Sequence, residues 1–140
     1  MANIPEKIKQ QVRQRAGGCC EYCLSQEFFS PAPFSVEHII PASKDGDGHV
    51  ENLALACQGR NGHKYNKTHH LDPLTQTIAS LYHPRKDSWQ AHFAWSADFT
   101  KILGLTPTGR ATISCLKLNR AEVVNLRQLL VVFGEHPPRR

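Results

Sequence analysis

The stretch FSVEHIIPASKDGDGHVENLALACQGRNGHKYNK, residues 34–67, decides how this chain can fold. Near its start a carboxylate directly precedes a histidine, at Glu37 and His38. Two asparagines follow, Asn52 after 14 residues and Asn61 after 9 more. Each of these residue types has a role in the metal-assisted hydrolysis of a phosphodiester. The stretch therefore indicates a candidate site for this reaction as well as a local fold.

The order of elements in this stretch is predicted to be strand, loop, strand, helix. The β-prone run 34–40 carries Glu37 and His38 and ends at a proline. A polar loop with two glycines separates it from a second short strand, expected at 53–57. A short helix is expected from Gln58 to about Thr68, despite two glycines, and Asn61 and Lys64 would share one of its faces.

A pair of cysteines precedes the stretch, at Cys20 and Cys23. This C-x-x-C spacing lets two thiolates converge on one zinc from a tight turn. A redox pair has the same spacing, but no thioredoxin-like βαβ context surrounds this one. The chain has five cysteines, an odd count, and most of them cluster here. In a reducing compartment such clustering indicates a metal before it indicates a disulfide.

Length, charge and hydropathy indicate which class of protein this sequence encodes. At 140 residues the chain fits a single domain with a core of its own. A net charge of +5 and a pI near 9.1 favour a polyanionic partner such as nucleic acid. No run of about 18 apolar residues occurs, so no membrane span is expected. The polar N-terminus does not resemble a signal peptide, which predicts a cytoplasmic protein.

The remaining elements predict a mixed α+β chain. A helix is expected from Pro5 to Ala16, with Gly17 as its stop. Three strand candidates follow the central stretch, and two helices end the chain. In order these are strands at 77–82, 91–95 and 100–105, then helices at 106–118 and 120–133.

These features together resemble the HNH endonuclease family, whose ββα-metal core has the order strand, strand, helix. The matching motifs are Glu37-His38 in VEHIIP, Asn52 in ENLAL and Asn61 in CQGRNGHK. The resemblance covers a third of the chain, about residues 20–67. Several later segments, HHLDPLT, HFAWS, GLTPTGRA and LNR, also look like the downstream region of many bacterial HNH proteins.

The resemblance implies one α+β domain over residues 1–140. It would comprise an HNH core at about 18–70 and a strand and helix extension at about 75–134. It also implies roles for side chains: His38 as general base, and Glu37 and Asn61 as ligands of a catalytic Mg²⁺ or Mn²⁺. The family often has aspartate where this chain has Glu37, whose side chain is longer but offers the same donor atoms.

Other positions take supporting roles in the same comparison. Asn52 would orient His38 or brace the loop. The side chains expected to contact DNA are Arg60, Lys64 and Lys67.

Zinc-containing members of the family carry ligands where this chain has Cys20, Cys23 and Cys57. They typically show a second C-x-x-C, and its last position is here Arg60. Since a structural zinc normally takes four protein ligands, three outcomes are open. The site takes a fourth ligand from elsewhere, is completed by water, or holds no zinc. Candidates for a fourth ligand are Cys19, His63 and Cys115.

The expected function is a metal-dependent DNA endonuclease that nicks DNA or cuts both strands. One site cuts one strand, so a double-strand break needs a homodimer or two successive nicks. The alternative is a zinc-ribbon-like nucleic-acid-binding module with weak or no catalysis. A purely structural domain within a larger defence assembly is a third hypothesis. The other histidines are expected to be surface or structural residues, namely His49, His63, His69, His70, His83, His92 and His136.

Overall fold

The computed structural model describes residues 4–59 and 66–139, and it shows an α+β chain as predicted. Short helices and short strands follow one another, and three 3₁₀ turns lie among the described residues before β2. The elements are α1 (Glu6–Ala16), β1 (Ser35–His38), β2 (Leu53–Ala56), β3 (His69–Leu71), β4 (Ile78–Ser80), α2 (Trp89–His92), β5 (Phe93–Trp95), β6 (Ile102–Gly104), α3 (Pro107–Leu116) and α4 (Ala121–Val132). The 3₁₀ turns are Glu27–Phe29, Ala42–Lys44 and Val50–Asn52.

The strands pair two by two in sequence order. Within the described ranges, β1 pairs with β2, β3 with β4 and β5 with β6, each time antiparallel. Such small hairpins have little stability of their own, so each needs a helix or a core against it. The β1–β2 hairpin obtains this cover from α1, whose residues Val12 and Ala16 are buried in the same core as Leu53 and Leu55.

Helix α1 ends where the sequence predicted. Gly17 has a left-handed φ of 64°, and its N–H reaches the carbonyls of the last turn. Pro5 is the N-cap and not the first helical residue, since its ψ of 147° is extended. Arg13 and Arg15 tie the helix to the hairpin strands by donating to the carbonyl oxygens of Phe34 (3.0 Å) and Leu53 (2.7 Å).

Strand β1 is shorter than predicted, because it ends at His38 and not at Ile40. The backbone of Ile40 is bound by the side chain of Asn52, which removes it from strand pairing. The predicted helix at 58–68 lies largely outside the described residues. Its last part is wrong, since residues 66–68 are not helical.

The downstream region keeps the predicted order with two corrections. The strand expected at 91–95 begins as a helical turn, and only Phe93–Trp95 is extended. This turn buries Trp89, whose indole N–H donates to the carbonyl of Tyr22 at 2.9 Å. Strand β3, only three residues long, was not predicted; it pairs with the expected strand β4. The aromatic residues here belong to the core, as expected.

Helix α3 is confirmed, with Thr106 as its N-cap accepting a hydrogen bond from the N–H of Gly109 at 3.0 Å. Helix α4 is also confirmed, and its buried residues are Val123, Arg127 and Leu130. Arg127 lies at the centre of its buried side, while Leu129 and Phe133 are exposed. In the part of the chain that the structure describes, no helix has the length and apolar character needed to cross a membrane.

Candidate functional site

The β1–β2 hairpin positions the predicted catalytic pair. Glu37 faces Ala54 and His38 faces Leu53 in the antiparallel register. Strand β2 is fully buried, whereas Glu37 and His38 are only half-buried. The hairpin therefore anchors one strand in the core and presents the two polar side chains of the other to solvent.

Asn52 closes the loop that follows His38. Its Oδ1 accepts from the N–H of Ile40 at 2.9 Å, and its Nδ2 donates to the carbonyls of Ile40 (3.0 Å) and Asp47 (2.7 Å). The backbone carbonyl of Asn52 also accepts from the N–H of Ile39 at 2.8 Å. An amide suits this position because it offers a donor and an acceptor together. Of the two roles expected for Asn52, this geometry fits the bracing of the loop.

Three of the cysteines converge beside the hairpin. Cys20 and Cys23 lie in the turn after α1, and Cys57 directly follows β2. Their sulfurs lie within 4.8 Å of one another, and those of Cys23 and Cys57 are 3.7 Å apart. Two thiolates bound about 2.3 Å from a tetrahedral zinc are about 3.8 Å apart. The donor set and its spacing therefore fit one zinc ion.

The cluster remains a three-cysteine set among the described residues. Cys19 and Cys115 are buried but are not part of it, and the sulfur of Cys19 donates instead to the carbonyl of Gly17 at 3.7 Å. His63 lies outside the described residues. Burial raises the pKa of the Cys20 thiol well above its usual value, and hydrogen bonding with the thiols of Cys23 and Cys57 raises it further.

A buried ion pair that the sequence did not indicate secures the cysteine turn. Glu21 is only 6% exposed, accepts from the N–H of Leu55 at 2.8 Å and pairs with Arg85. The backbone N–H of Glu21 also donates to the carbonyl of Leu55 at 2.9 Å. These bonds lock the turn that carries Cys20 and Cys23 against β2. The only sequence signal was an acidic residue inside the C-x-x-C turn.

Several predicted site residues cannot be placed relative to the hairpin. Arg60, Asn61 and Lys64 lie outside the described residues. Lys67 is described and is exposed, near His70, whose pKa is lowered by burial and by the charges of Lys67 and Lys117.

The described histidines behave as surface or structural residues, as expected. His49 is exposed beside Asp47, and the ring of His83 accepts from the backbone N–H of Arg85. His92 and His136 are held by Thr106 and by the carbonyl of Phe99.

A cleft of about 410 Å³ borders the chain that follows His38. It lies between residues 39–44 and the 83–87 loop, and Thr68 and His69 form a further part of its wall. Lys44 and Lys86, both exposed, contribute positive charge to its rim. The cleft beside the hairpin is thus lined by two lysines and one carboxylate, Asp87.

The part of the chain that contains the hairpin and the clustered cysteines is similar to a known family. Residues 20–67 match the family model described as HNH endonuclease. This stretch, about a third of the chain, is therefore similar to the HNH endonuclease family. Neither the curated proteins nor the solved structures include a match to it. The matched HNH segment contains the β1–β2 hairpin, Asn52 and all three clustered cysteines.

Proposed function

We propose that this protein is a metal-dependent DNA endonuclease that hydrolyses a phosphodiester bond. The observation that carries the proposal is the position of Glu37 and His38 at the end of a solvent-facing strand within the HNH segment. A hard carboxylate ligand and an imidazole base are what metal-assisted hydrolysis of a phosphodiester requires.

In this proposal His38 is the general base that takes a proton from the attacking water. A neutral imidazole suits this task because its usual pKa lies near physiological pH. Consecutive residues of a strand point to opposite faces, so Glu37 and His38 leave β1 on different sides. A reaction centre that both serve therefore lies around the end of the strand, where the chain turns at Ile39.

Glu37 and Asn61 would hold a divalent cation, Mg²⁺ or Mn²⁺, through oxygen atoms. When bound, such an ion neutralises charge on the phosphate and on the leaving oxygen. The half-buried carboxylate of Glu37 fits a hard ion that keeps part of its water shell. Asn52 supports the site indirectly by fixing the backbone of Ile40, two residues after His38.

DNA would be bound through its phosphates by cations around the hairpin. Arg60, Lys64 and Lys67 are the proposed contacts from the HNH segment. Lys44 and Lys86 extend this positive charge along the cleft next to residues 39–40. The net charge of +5 on the whole chain also favours binding to a polyanion such as DNA.

A structural zinc would be held by Cys20, Cys23 and Cys57. Their sulfur spacing supports this, since it matches a tetrahedral set of thiolates. The zinc would join the turn after α1 to the end of β2, and thereby hold both sides of the hairpin.

The second candidate function is a nucleic-acid-binding module with weak or no catalysis. The convergence of the cysteines favours it, because such a cluster stabilises a small fold whether or not the fold cuts DNA. The two candidates differ only in turnover.

Conversion of supercoiled plasmid to open-circular or linear DNA in the presence of Mg²⁺ or Mn²⁺ separates them. The endonuclease proposal expects conversion by the wild-type protein and retained gel-shift binding without conversion by His38→Ala. Binding by the wild type without any conversion would leave only the binding module. Open-circular product before linear product would indicate single nicks, whereas linear product from the outset would indicate a homodimer.

A further inference from the structure

The three-cysteine cluster has a cation in direct contact with it. Arg120, just before α4, donates from Nη2 to the sulfur of Cys57 at 3.5 Å. Its other guanidinium nitrogens reach the carbonyl of Lys117 at 3.2 Å and the exposed carboxylate of Glu122 at 3.6 Å. A guanidinium bonded to sulfur is strongest when the sulfur is a thiolate. The contact would therefore be strongest if Cys57 were a thiolate, as it is in a zinc complex.

The backbone next to Cys57 is shaped around this arginine. A Cβ placed on Gly59 would overlap the guanidinium of Arg120. The glycine therefore allows the chain after Cys57 to approach the cation closely. In the sequence, Gly59 precedes the position where zinc-containing relatives are expected to carry a fourth cysteine and where this chain has Arg60.

A second buried arginine also faces the cluster without a carboxylate. Arg127 is 3% exposed and donates only to neutral acceptors, the carbonyls of Leu118 and Thr100 and the amide oxygen of Asn119. Its Nε has no hydrogen-bond partner within residues 4–59 and 66–139. A buried cation is costly unless an anion lies near it. Negative charge on the three cysteines, as in a zinc–thiolate complex, would stabilise the charged form of Arg127.

The net charge of a zinc complex depends on how many thiolates bind the ion. Zn²⁺ with four thiolates carries two negative charges, and with three thiolates it carries one. A three-thiolate complex would therefore leave less charge to neutralise and would need a ligand other than cysteine to reach four. A cavity of about 180 Å³ lined in part by Cys57 and Arg120 lies beside the cluster.

We propose that Cys20, Cys23 and Cys57 bind zinc as a three-thiolate complex of net negative charge, and that Arg120 stabilises it as a hydrogen-bonding cation in place of a fourth thiolate ligand. Arg120 is a positioning residue here and not a zinc ligand. The inference rests on the proposed zinc site and is independent of nuclease activity.

The test measures zinc content and the rate of zinc transfer to a chromogenic chelator from the purified full chain. We expect one zinc per wild-type chain and release about tenfold faster from Arg120→Met. Arg120→Lys keeps the positive charge and is expected to lie between the two. Lys7→Met removes an exposed charge from α1 and is the matched control, with release at the wild-type rate.

Gly59→Ala tests the same contact in a second way. The added methyl group displaces the guanidinium of Arg120, while Arg120 and all three cysteines remain unmutated. This variant is expected to accelerate zinc release as Arg120→Met does, and it decides the question if Arg120→Met does not fold. A wild-type chain without zinc overturns the site itself. Zinc that leaves Arg120→Met and Gly59→Ala at the wild-type rate overturns the role of Arg120 alone. The plasmid assay reports on the nuclease proposal separately.

Discussion

The side chain of Asn52 forms a two-way hydrogen bond with the backbone of Ile40: Oδ1 accepts from its N–H at 2.9 Å, and Nδ2 donates to its carbonyl at 3.0 Å. This pair fixes the chain two residues after His38. Asn52→Ala leaves buried backbone groups without partners, so we expect a loss of about 2 kcal/mol of unfolding free energy.

The same change should reduce plasmid nicking even at a temperature where the variant stays folded, because the end of β1 is no longer held. Asn52→Asp keeps the acceptor but sets a carboxylate oxygen against the carbonyls of Ile40 and Asp47, so it should be at least as destabilising as Asn52→Ala. Urea unfolding and nicking rates at 25 °C check this. Equal stability of all three proteins would contradict the bracing role.

The ion pair of Glu21 with Arg85 predicts that removing one partner costs more stability than removing both. Arg85→Met leaves the carboxylate of Glu21 buried and unpaired, at a cost of about 3 kcal/mol in unfolding free energy. The double variant Glu21→Gln with Arg85→Met should recover part of this loss, because the unpaired charge is gone. Denaturant unfolding measures both. Equal stability of Arg85→Met and the wild type would show that the pair does not secure the cysteine turn.

The carboxylate of Asp72 predicts how stability depends on pH. Hydrogen bonds from Arg110 at 3.0 Å, together with those from Thr75 and from the N–H of Leu74, hold the pKa of Asp72 well below its usual value. The folded-state pKa is lower than the unfolded one, so this stabilisation is complete above the unfolded pKa and is lost as pH falls toward the folded one. The thermal midpoint should therefore decline below about pH 4.

Asp72→Asn should melt at a lower temperature at pH 7 and show a shallower decline in acid. Asp45→Asn, at an exposed position in the polar loop, is the control and should follow the wild-type curve. Circular dichroism melts between pH 2 and pH 7 check both. Parallel curves for Asp72→Asn and the wild type would contradict this assignment.

Glu37 is predicted to act through the divalent cation. Glu37→Gln removes a charged ligand but keeps the size of the side chain, so nicking should need a much higher Mg²⁺ concentration and fall at least tenfold at a fixed one. The nicking rate as a function of Mg²⁺ checks this. EDTA should abolish wild-type activity, and added Mg²⁺ or Mn²⁺ should restore it. An unchanged Mg²⁺ dependence in Glu37→Gln would remove this residue from the metal site.

Much of the fold was predictable where local signals agree. Gly17 ends α1, Thr106 caps α3, and the strands expected at 34–40 and 53–57 form the two strands of the hairpin. Strand β3 was missed because three residues carry no measurable period. The strand expected at 91–95 begins only at Phe93, because residues 91–92 belong to the helical turn that buries Trp89.

The residue types of the candidate site were predictable from the sequence, but the long-range contacts that hold them in place were not. The convergence of Cys20, Cys23 and Cys57 follows from their spacing and the resemblance. The contacts of Glu21 with Arg85 and of Arg120 with Cys57 join residues 64 and 63 positions apart. No local pattern encodes such contacts, because they depend on how the downstream region packs against the hairpin.

The most direct test of the central claim is the Mg²⁺-dependent nicking rate of His38→Ala against that of His49→Ala. His49 is an exposed histidine of the same loop region without a proposed catalytic role, so the pair separates catalysis from the general loss of an imidazole. We predict a fall of at least a hundredfold for His38→Ala and less than twofold for His49→Ala. Equal rates for His38→Ala and the wild type would contradict the assignment of His38 as the base.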